Sequence, residues 1–412
     1  MKKIILLFLL AVFSSNSFSQ KYYSNQSIED ILKLPEEEIN VGIASLVLAK
    51  EFYPNLNVQF FLQTIDYLAD RFNYYFGKYS KPNDNRIGAL NTYLYKPGFW
   101  NDSITFNYDD DDLQVTKLDN KFINGYIANK KGSCITMPML YVILGERLNF
   151  PIYPVRSAKH FFVRYIPDKT DKKFKQNVET TNGGGFISDN QYKEDVLIPE
   201  KAIKNGVYLR NLSKKEYIAS LLLINANEYI KQKEIEKAKH YFQLAIKYDS
   251  TFSSAYWNYG LTTFGEAREL EEQMWEEKQN VINENNVFAE LTKKKSNDEI
   301  YLPKPNNEVQ NNPLENIPTI PQILPDEILS KPQTKVQKEN SQTNNQALYQ
   351  ADLQPQLMEI EKKYELMIME KIKIYKEYTQ RAEQLGIVHE FPIRFFEKQI
   401  ESIKKFKQQG GY

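Results

Sequence analysis

Few residues in this chain of 412 residues could take part in thiol–imidazole chemistry. Cys134 is the single cysteine, and the histidines are His160, His240 and His389. A thiol becomes a useful nucleophile when a histidine base lies within hydrogen-bond reach. Only three cysteine–histidine pairs are therefore available, and Cys134 belongs to all of them.

Thiol–imidazole catalysis also requires particular supporting elements. The thiol belongs at a helix N-terminus, where free amides and partial positive charge stabilise a thiolate and a developing oxyanion. The base belongs on a facing strand, with an orienting group on the neighbouring strand. A predicted helix opens at residues 132–133 and carries Cys134, so we expect this thiol to have a depressed pKa.

The base and its orienting group lie on two predicted strands. His160 begins the first strand, and Glu179 lies on the second. Asn177 precedes Glu179 by two residues, so both side chains share a face, and either could orient the imidazole. Glu179 is the stronger candidate, because its charge stabilises an imidazolium.

Structural interpretations of these residues stay open at this point. A free cysteine is often a small buried apolar residue, a histidine can cap a strand end, and a lone glutamate on a strand usually faces solvent. His240 and His389 lie on charged helical surfaces, where no catalytic role is expected.

The hydrophobic pattern predicts helices first and then a small antiparallel sheet, which is an α+β arrangement. A helical pattern runs through residues 26–79, with Ser27 as a candidate N-cap. The further predicted elements are helices at 86–95, 122–129 and 132–148, and strands at 152–155, 160–166 and 176–181.

The second half of the chain is predicted to be helical with one interruption. Apolar positions beginning at Leu221 follow the 34-residue tetratricopeptide period, and Gly260 lies one period after Ala226. Residues 302–347 are rich in Pro, Asn and Gln, which predicts a disordered linker. A helical hairpin or coiled-coil seam follows at 350–408. Predicted domains are thus 20–212, a tetratricopeptide-like region at 213–297, the linker and the C-terminal helices.

The N-terminus and the composition restrict location and partners. Lys2 and Lys3 precede a short apolar run, and the small residues that follow predict a signal peptide over 1–19, hence a periplasmic or secreted protein without stable membrane insertion after cleavage. Lys plus Arg equals Asp plus Glu, 53 each, which argues against nucleic-acid binding. No metal-ligand spacing is present, so no cofactor is expected, and the acidic run 109–112 is interpreted as a solvated loop.

An ordered series of segments from about Ser27 to Tyr208 resembles the transglutaminase-like superfamily, in its SirB-like branch, which often carries tetratricopeptide repeats behind the core. The segments are LPEEEINVGIASLVLAKEFYPNL, NTYLYKPGFWND, KLDNKFINGYIANKKGSCITMPMLYVILGERLNFP, KHFFVRY, NVETTNGG and IPEKAIKNGVYLRNLSKKE.

The resemblance implies a papain-like α+β core in which Cys134 is the nucleophile, His160 the base and Glu179 the residue at the family's aspartate position. Asn120 and Asn124 are also family-like positions, able to support the site or an oxyanion hole. Many members of the branch have proline at the cysteine position. Two hypotheses follow: a cysteine hydrolase or acyl transferase acting on peptide-like amides, or a non-catalytic scaffold that binds protein partners through its repeats and C-terminal helices.

Overall fold

A computed structural model describes residues 26–79, 85–167, 176–284 and 344–387. The predicted signal peptide, His389, the end of the predicted C-terminal seam from residue 388 and nearly all of the predicted linker lie outside these ranges. The chain divides into two units. The first comprises Met1–Asn227 and His240–Phe252, and the second Glu228–Lys239 and Ser253–Tyr412.

The first unit begins with helices, as the pattern predicted. Their N-termini are capped by side chains, because Ser27, Asn40 and Asn57 each accept a backbone N–H in the first turn. The predicted helix at 86–95 is confirmed. The helices are α1 (Ile28–Lys33), α2 (Val41–Lys50), α3 (Val58–Phe76), α4 (Arg86–Tyr95), α5 (Ile123–Asn129) and α6 (Thr136–Leu148).

The most deeply buried helix of this series is α6. Its residues from Thr136 to Gly145 are all buried, because neighbouring helices and the sheet surround it. The side chain of Leu140, for example, is fully enclosed. This burial agrees with the nearly continuous apolar run of the sequence and fixes the helix end that lies next to Cys134.

The predicted antiparallel sheet is present and has four strands. The strand order is β3-β4-β5-β6, and each neighbouring pair is antiparallel. A separate parallel pair, β1 (Asn107–Tyr108) and β2 (Lys131–Gly132), leads directly to Cys134. The strands of the sheet are β3 (Ile152–Ser157), β4 (His160–Tyr165), β5 (Gln176–Glu179) and β6 (Gly185–Phe186).

Short helices complete the first unit after the sheet. They are α7 (Asp189–Val196) and α8 (Glu200–Lys204). Two longer helices follow, α9 (Lys214–Lys231) and α10 (Ile235–Tyr248), and a boundary between the two units falls within each of them. The positions that match the tetratricopeptide pattern in α9 and α10, including Ala226, Ala238 and Phe242, are buried. Burial at these positions fits the pattern, and the repeat type stays a prediction.

A buried ion pair joins β3 to the segment that follows α10. The Arg156 guanidinium donates to Asp249 Oδ2 at 2.7 Å, and both side chains are almost inaccessible to solvent. The guanidinium also stacks over the Phe252 ring at 3.9 Å. A buried charge is tolerated only when it is paired, so each partner depends on the other.

We expect Asp249→Ala to lower the free energy of unfolding by about 3–5 kcal/mol, because Arg156 would remain buried without its carboxylate. Urea-induced unfolding of the full chain measures the change. Glu200→Ala is the control, since its ion pair with Lys193 is exposed and its loss should change stability little. Equal effects of the two substitutions would contradict the prediction.

In the second unit, α11 (Ser253–Glu284) packs along α12 (Asn344–Leu385). Of the predicted seam, Ile360 and Tyr364 are buried, whereas Met367 is 40% exposed. Residues 388–408, where a second helix of the predicted hairpin would lie, fall outside the described ranges, so the hairpin or coiled-coil seam at 350–408 stays a prediction. Helix α12 also starts inside the predicted linker, at Asn344.

Among the described helices, none has the length and apolar character needed to span a membrane.

Candidate active site

Cys134 lies in the turn that leads into α6 and is partly exposed. The expectation that the helix itself carries Cys134 is corrected, because α6 begins two residues later, at Thr136. Two reciprocal hydrogen bonds stabilise the turn: Ser133 Oγ accepts from the Ile135 N–H, and Thr136 Oγ1 accepts from the Ser133 N–H. Since the Met137 N–H donates to the Ser133 carbonyl, Cys134 lies within the first helical hydrogen-bonded turn.

Gly132 permits a close approach directly before this turn. A Cβ atom at this position would lie 2.4 and 2.7 Å from two ring carbons of Tyr126 and 2.6 Å from Thr136 Oγ1. The Tyr126 ring is fully buried and cannot move away. Only glycine therefore lets the chain pass between Tyr126 and the start of α6, and this passage determines where Cys134 is placed.

His160 and Glu179 meet across the antiparallel pair β4–β5. Val163 pairs with Val178, so Glu179 lies opposite Phe162 and diagonal to His160 on the same sheet face. His160 Nε2 is 2.7 Å from Glu179 Oε2. The glutamate side chain spans this diagonal, and the short contact is typical of a charge-assisted hydrogen bond.

The Cys134 thiol also lies beside the imidazole, close enough for its hydrogen bonding and its charge to raise the pKa of His160. The structure thus brings Cys134, His160 and Glu179 together, although they are far apart in sequence. Burial alone would lower the pKa of His160, but the hydrogen bonds to Cys134 and Glu179 and the charges of both partners raise it to about 9. The imidazole is therefore protonated at neutral pH, the state that can donate a proton to a leaving group.

Glu179 is held through both carboxylate oxygens. Oε1 accepts from the Thr181 N–H at 3.0 Å and from Thr181 Oγ1 at 2.6 Å, and Oε2 accepts from the Tyr192 hydroxyl at 2.7 Å. Burial raises the pKa of Glu179, but the hydrogen bond and charge of His160, together with Thr181 and Tyr192, lower it overall. The carboxylate is therefore ionised and fixed in orientation.

Asn177 shares the sheet face with Glu179 but has different partners. Its Oδ1 accepts from Arg164 Nε at 2.7 Å, and its Nδ2 donates to Asp189 Oδ1 at 2.7 Å. Asp189 also pairs with Arg164 at 2.6 Å. Asn177 consequently does not orient His160. It belongs to a cluster, beside a cavity of about 430 Å³, that ties the start of α7 to the sheet.

Tyr192 is the residue of this site that sequence reasoning missed. It stands on α7, in a polar segment whose pattern gives no sign that one tyrosine is buried. The spacing of Asp189 and Tyr192, three residues apart on a helix, places both on one face. This spacing was the signal that the sequence contained. It can be interpreted only when the sheet face that α7 packs against is known.

The interpretation of residues 109–112 as a solvated loop is wrong for Asp109 and Asp112, which are buried. Asn120 Nδ2 donates to Asp109 Oδ2 at 2.8 Å and to Asp112 Oδ2 at 2.7 Å. Burial raises the pKa of Asp112, but hydrogen bonds, chiefly from Asn120 and Thr116, lower it to about 2. The loop is therefore held by ionised carboxylates.

The two candidate oxyanion-hole asparagines have different surroundings. The amide of Asn120 is used by Asp109 and Asp112, and its carbonyl accepts from Ser133 Oγ at 2.6 Å, so Asn120 supports the Cys134 turn through its main chain. Asn124 is buried, and its Oδ1 has no hydrogen-bond partner within the described ranges. An acceptor oxygen cannot stabilise an oxyanion, so any such role would fall to the side-chain NH2 group of Asn124.

The remaining candidates do not assemble into a second site. His240 is more than half exposed and pairs with Glu29, and His389 lies outside the described residues. Across the part of the chain that the structure describes, no group of three or more His, Cys, Asp or Glu residues is arranged to bind a metal ion.

Residues 59–222 match the family model described as the transglutaminase-like superfamily. The matched segment contains Cys134, His160 and Glu179, so this part of the chain is a transglutaminase-like domain within a mixed helical and sheet structure. Comparison with curated proteins and with solved structures gave no match. The SirB-like branch remains a prediction from the sequence segments.

We expect Gly132→Ala to displace the Cys134 turn and to slow alkylation of Cys134 by iodoacetamide, because the new methyl group would overlap Tyr126 and Thr136. Overpacking of this kind should also destabilise the fold by about 1–3 kcal/mol. Gly88→Ala is the matched control: its Cβ would meet nothing within 4 Å, and helix propensity should raise stability by about 1 kcal/mol. Unchanged alkylation in Gly132→Ala would contradict the close-approach argument.

Proposed function

We propose that this protein is an exported cysteine hydrolase or acyl transferase that acts on peptide-like amide bonds through Cys134, His160 and Glu179. The observation that carries the proposal is the placement of the His160 imidazole, which lies beside the Cys134 thiol and is hydrogen-bonded to a buried, ionised carboxylate. A partly exposed thiol and a histidine of raised pKa are the two features that nucleophilic acyl chemistry requires.

At neutral pH the His160 imidazolium, which Glu179 stabilises, already holds the proton that the leaving amine will take. The Cys134 thiolate, stabilised by that imidazolium, attacks the carbonyl carbon: a C–S bond forms, and the carbonyl π electrons move to oxygen. The oxyanion lies beside the N-terminus of α6, whose partial positive charge stabilises it. Collapse expels the amine, which takes the proton from His160, and leaves an acyl-enzyme.

Release of the acyl group uses the same residues in reverse. The neutral His160 imidazole takes a proton from water or from an acceptor amine as that nucleophile attacks the thioester carbon. The C–S bond then breaks, its electrons return to sulfur, and the Cys134 thiolate is restored beside the His160 imidazolium. Water gives hydrolysis and an amine gives transamidation, so the acceptor decides which activity results.

Location and partners belong to the same proposal. The charged start and apolar run of residues 1–19 favour export to the periplasm or beyond, where peptide and protein substrates are available. A lone cysteine in an oxidising compartment is also consistent with a reactive role. The repeat-like helices and the C-terminal helices would bind protein partners.

We expect iodoacetamide to alkylate Cys134 faster at pH 7 in the unsubstituted chain than in His160→Ala, because the His160 imidazolium stabilises the attacking thiolate. Cys134→Ala is the control for labelling at other sites. Equal rates in the unsubstituted chain and in His160→Ala would favour the non-catalytic scaffold.

We expect Glu179→Gln to lower the pKa of His160 from about 9 toward its ordinary value, because the neutral amide no longer stabilises the imidazolium. Histidine-selective NMR titration measures the shift, and His160→Ala assigns the signal. Asn177→Ala is the comparison, since Asn177 binds Arg164 and Asp189. A larger shift in Asn177→Ala than in Glu179→Gln would mean that the orienting residue is misassigned.

A further inference from the structure

We propose that Tyr192 is a positioning residue, which holds the Glu179 carboxylate against His160. This inference rests on the proposed function, because it assigns Tyr192 a part in the same site. Tyr192 acts through Glu179, and its hydroxyl is directed to the carboxylate oxygen that faces the imidazole.

One oxygen atom receives both hydrogen bonds. Glu179 Oε2 lies 2.7 Å from His160 Nε2 and 2.7 Å from the Tyr192 hydroxyl. Two donors on one carboxylate oxygen fix its position in two directions. The other oxygen is bound by Thr181, the second residue after Glu179 in the chain, so this local contact turns with the Glu179 backbone. Besides His160 on β4, Tyr192 on α7 is thus the donor, within the described residues, that ties the carboxylate to another element.

The position of the Tyr192 hydroxyl is itself determined by ring packing. The Tyr192 ring lies on the Phe162 ring with centroids 4.1 Å apart and an interplanar angle of 6°. Phe162 is fully buried on β4, two residues from His160 and on the same face. The position of the Tyr192 ring therefore depends on β4, the strand that carries His160. The hydroxyl donor, the carboxylate and the imidazole consequently keep fixed positions relative to one another.

The helix that carries Tyr192 is attached to the same sheet face. Asp189, three residues before Tyr192, pairs with Arg164 of β4 and accepts from Asn177 of β5. Ser188 caps the helix by accepting from the Gln191 N–H. These contacts lie on the sheet face that also carries His160 and Glu179. They hold α7 in a position from which the Tyr192 hydroxyl reaches the carboxylate.

Tyr192→Phe tests the inference, because it removes one oxygen and keeps the stacked ring. The readout is the pKa of His160, measured by histidine-selective NMR on the full chain. We expect this pKa to fall by roughly one unit, since a less well-held carboxylate stabilises the imidazolium less. Tyr217→Phe is the matched control: its hydroxyl is also buried, but has no hydrogen-bond partner among the described residues, so the His160 pKa should not change.

A purely structural role for Tyr192 would lower the melting temperature and leave the His160 pKa unchanged, and that result would overturn the inference. A rise in the pKa would overturn it as well, because it would mean that Tyr192 competes with His160 for Glu179. Alkylation of Cys134 separates the two proposals. Equal alkylation rates at pH 7 in the unsubstituted chain and in His160→Ala refute the proposed function, whereas a lowered His160 pKa in Tyr192→Phe still means that Tyr192 holds Glu179.

Discussion

The arrangement of the site depends on one constraint, the burial of an ionised carboxylate at Glu179. A charge with 6% of its side chain exposed must be compensated by hydrogen bonds or an opposite charge, or it would be protonated. Thr181 and Tyr192 supply neutral donors, and His160 supplies both a donor and a charge. The raised pKa of His160 is a consequence of the same requirement.

The residues that sequence reasoning placed correctly are those governed by local rules. Side-chain caps at Ser27 and the apolar periodicity of residues 86–95 act over a few residues, so the pattern contains the whole signal. The strand starting at His160 is a further example. The family resemblance added the roles of Cys134, His160 and Glu179, which local pattern alone left open.

The features that sequence reasoning missed arise from contacts between distant segments. Asp109 and Asp112 resemble a solvated acidic run until Asn120 is folded against them. Tyr192 resembles a surface tyrosine on a polar helix until Phe162 lies beneath it. The start of α6 was placed three to four residues too early, because the Ser133 and Thr136 hydroxyls accept backbone N–H groups and stabilise a turn before the helix begins.

Because of the ion pair between Arg156 and Asp249, the part of the chain that folds together extends beyond the segment that matches the family model. The stretch with family likeness ends at residue 222, yet β3 contains a guanidinium whose counterion comes from residue 249. A gene fragment cut at the family boundary would encode every proposed catalytic residue and still leave Arg156 buried without its carboxylate. A fragment that keeps the Arg156 charge paired must therefore extend at least to Asp249.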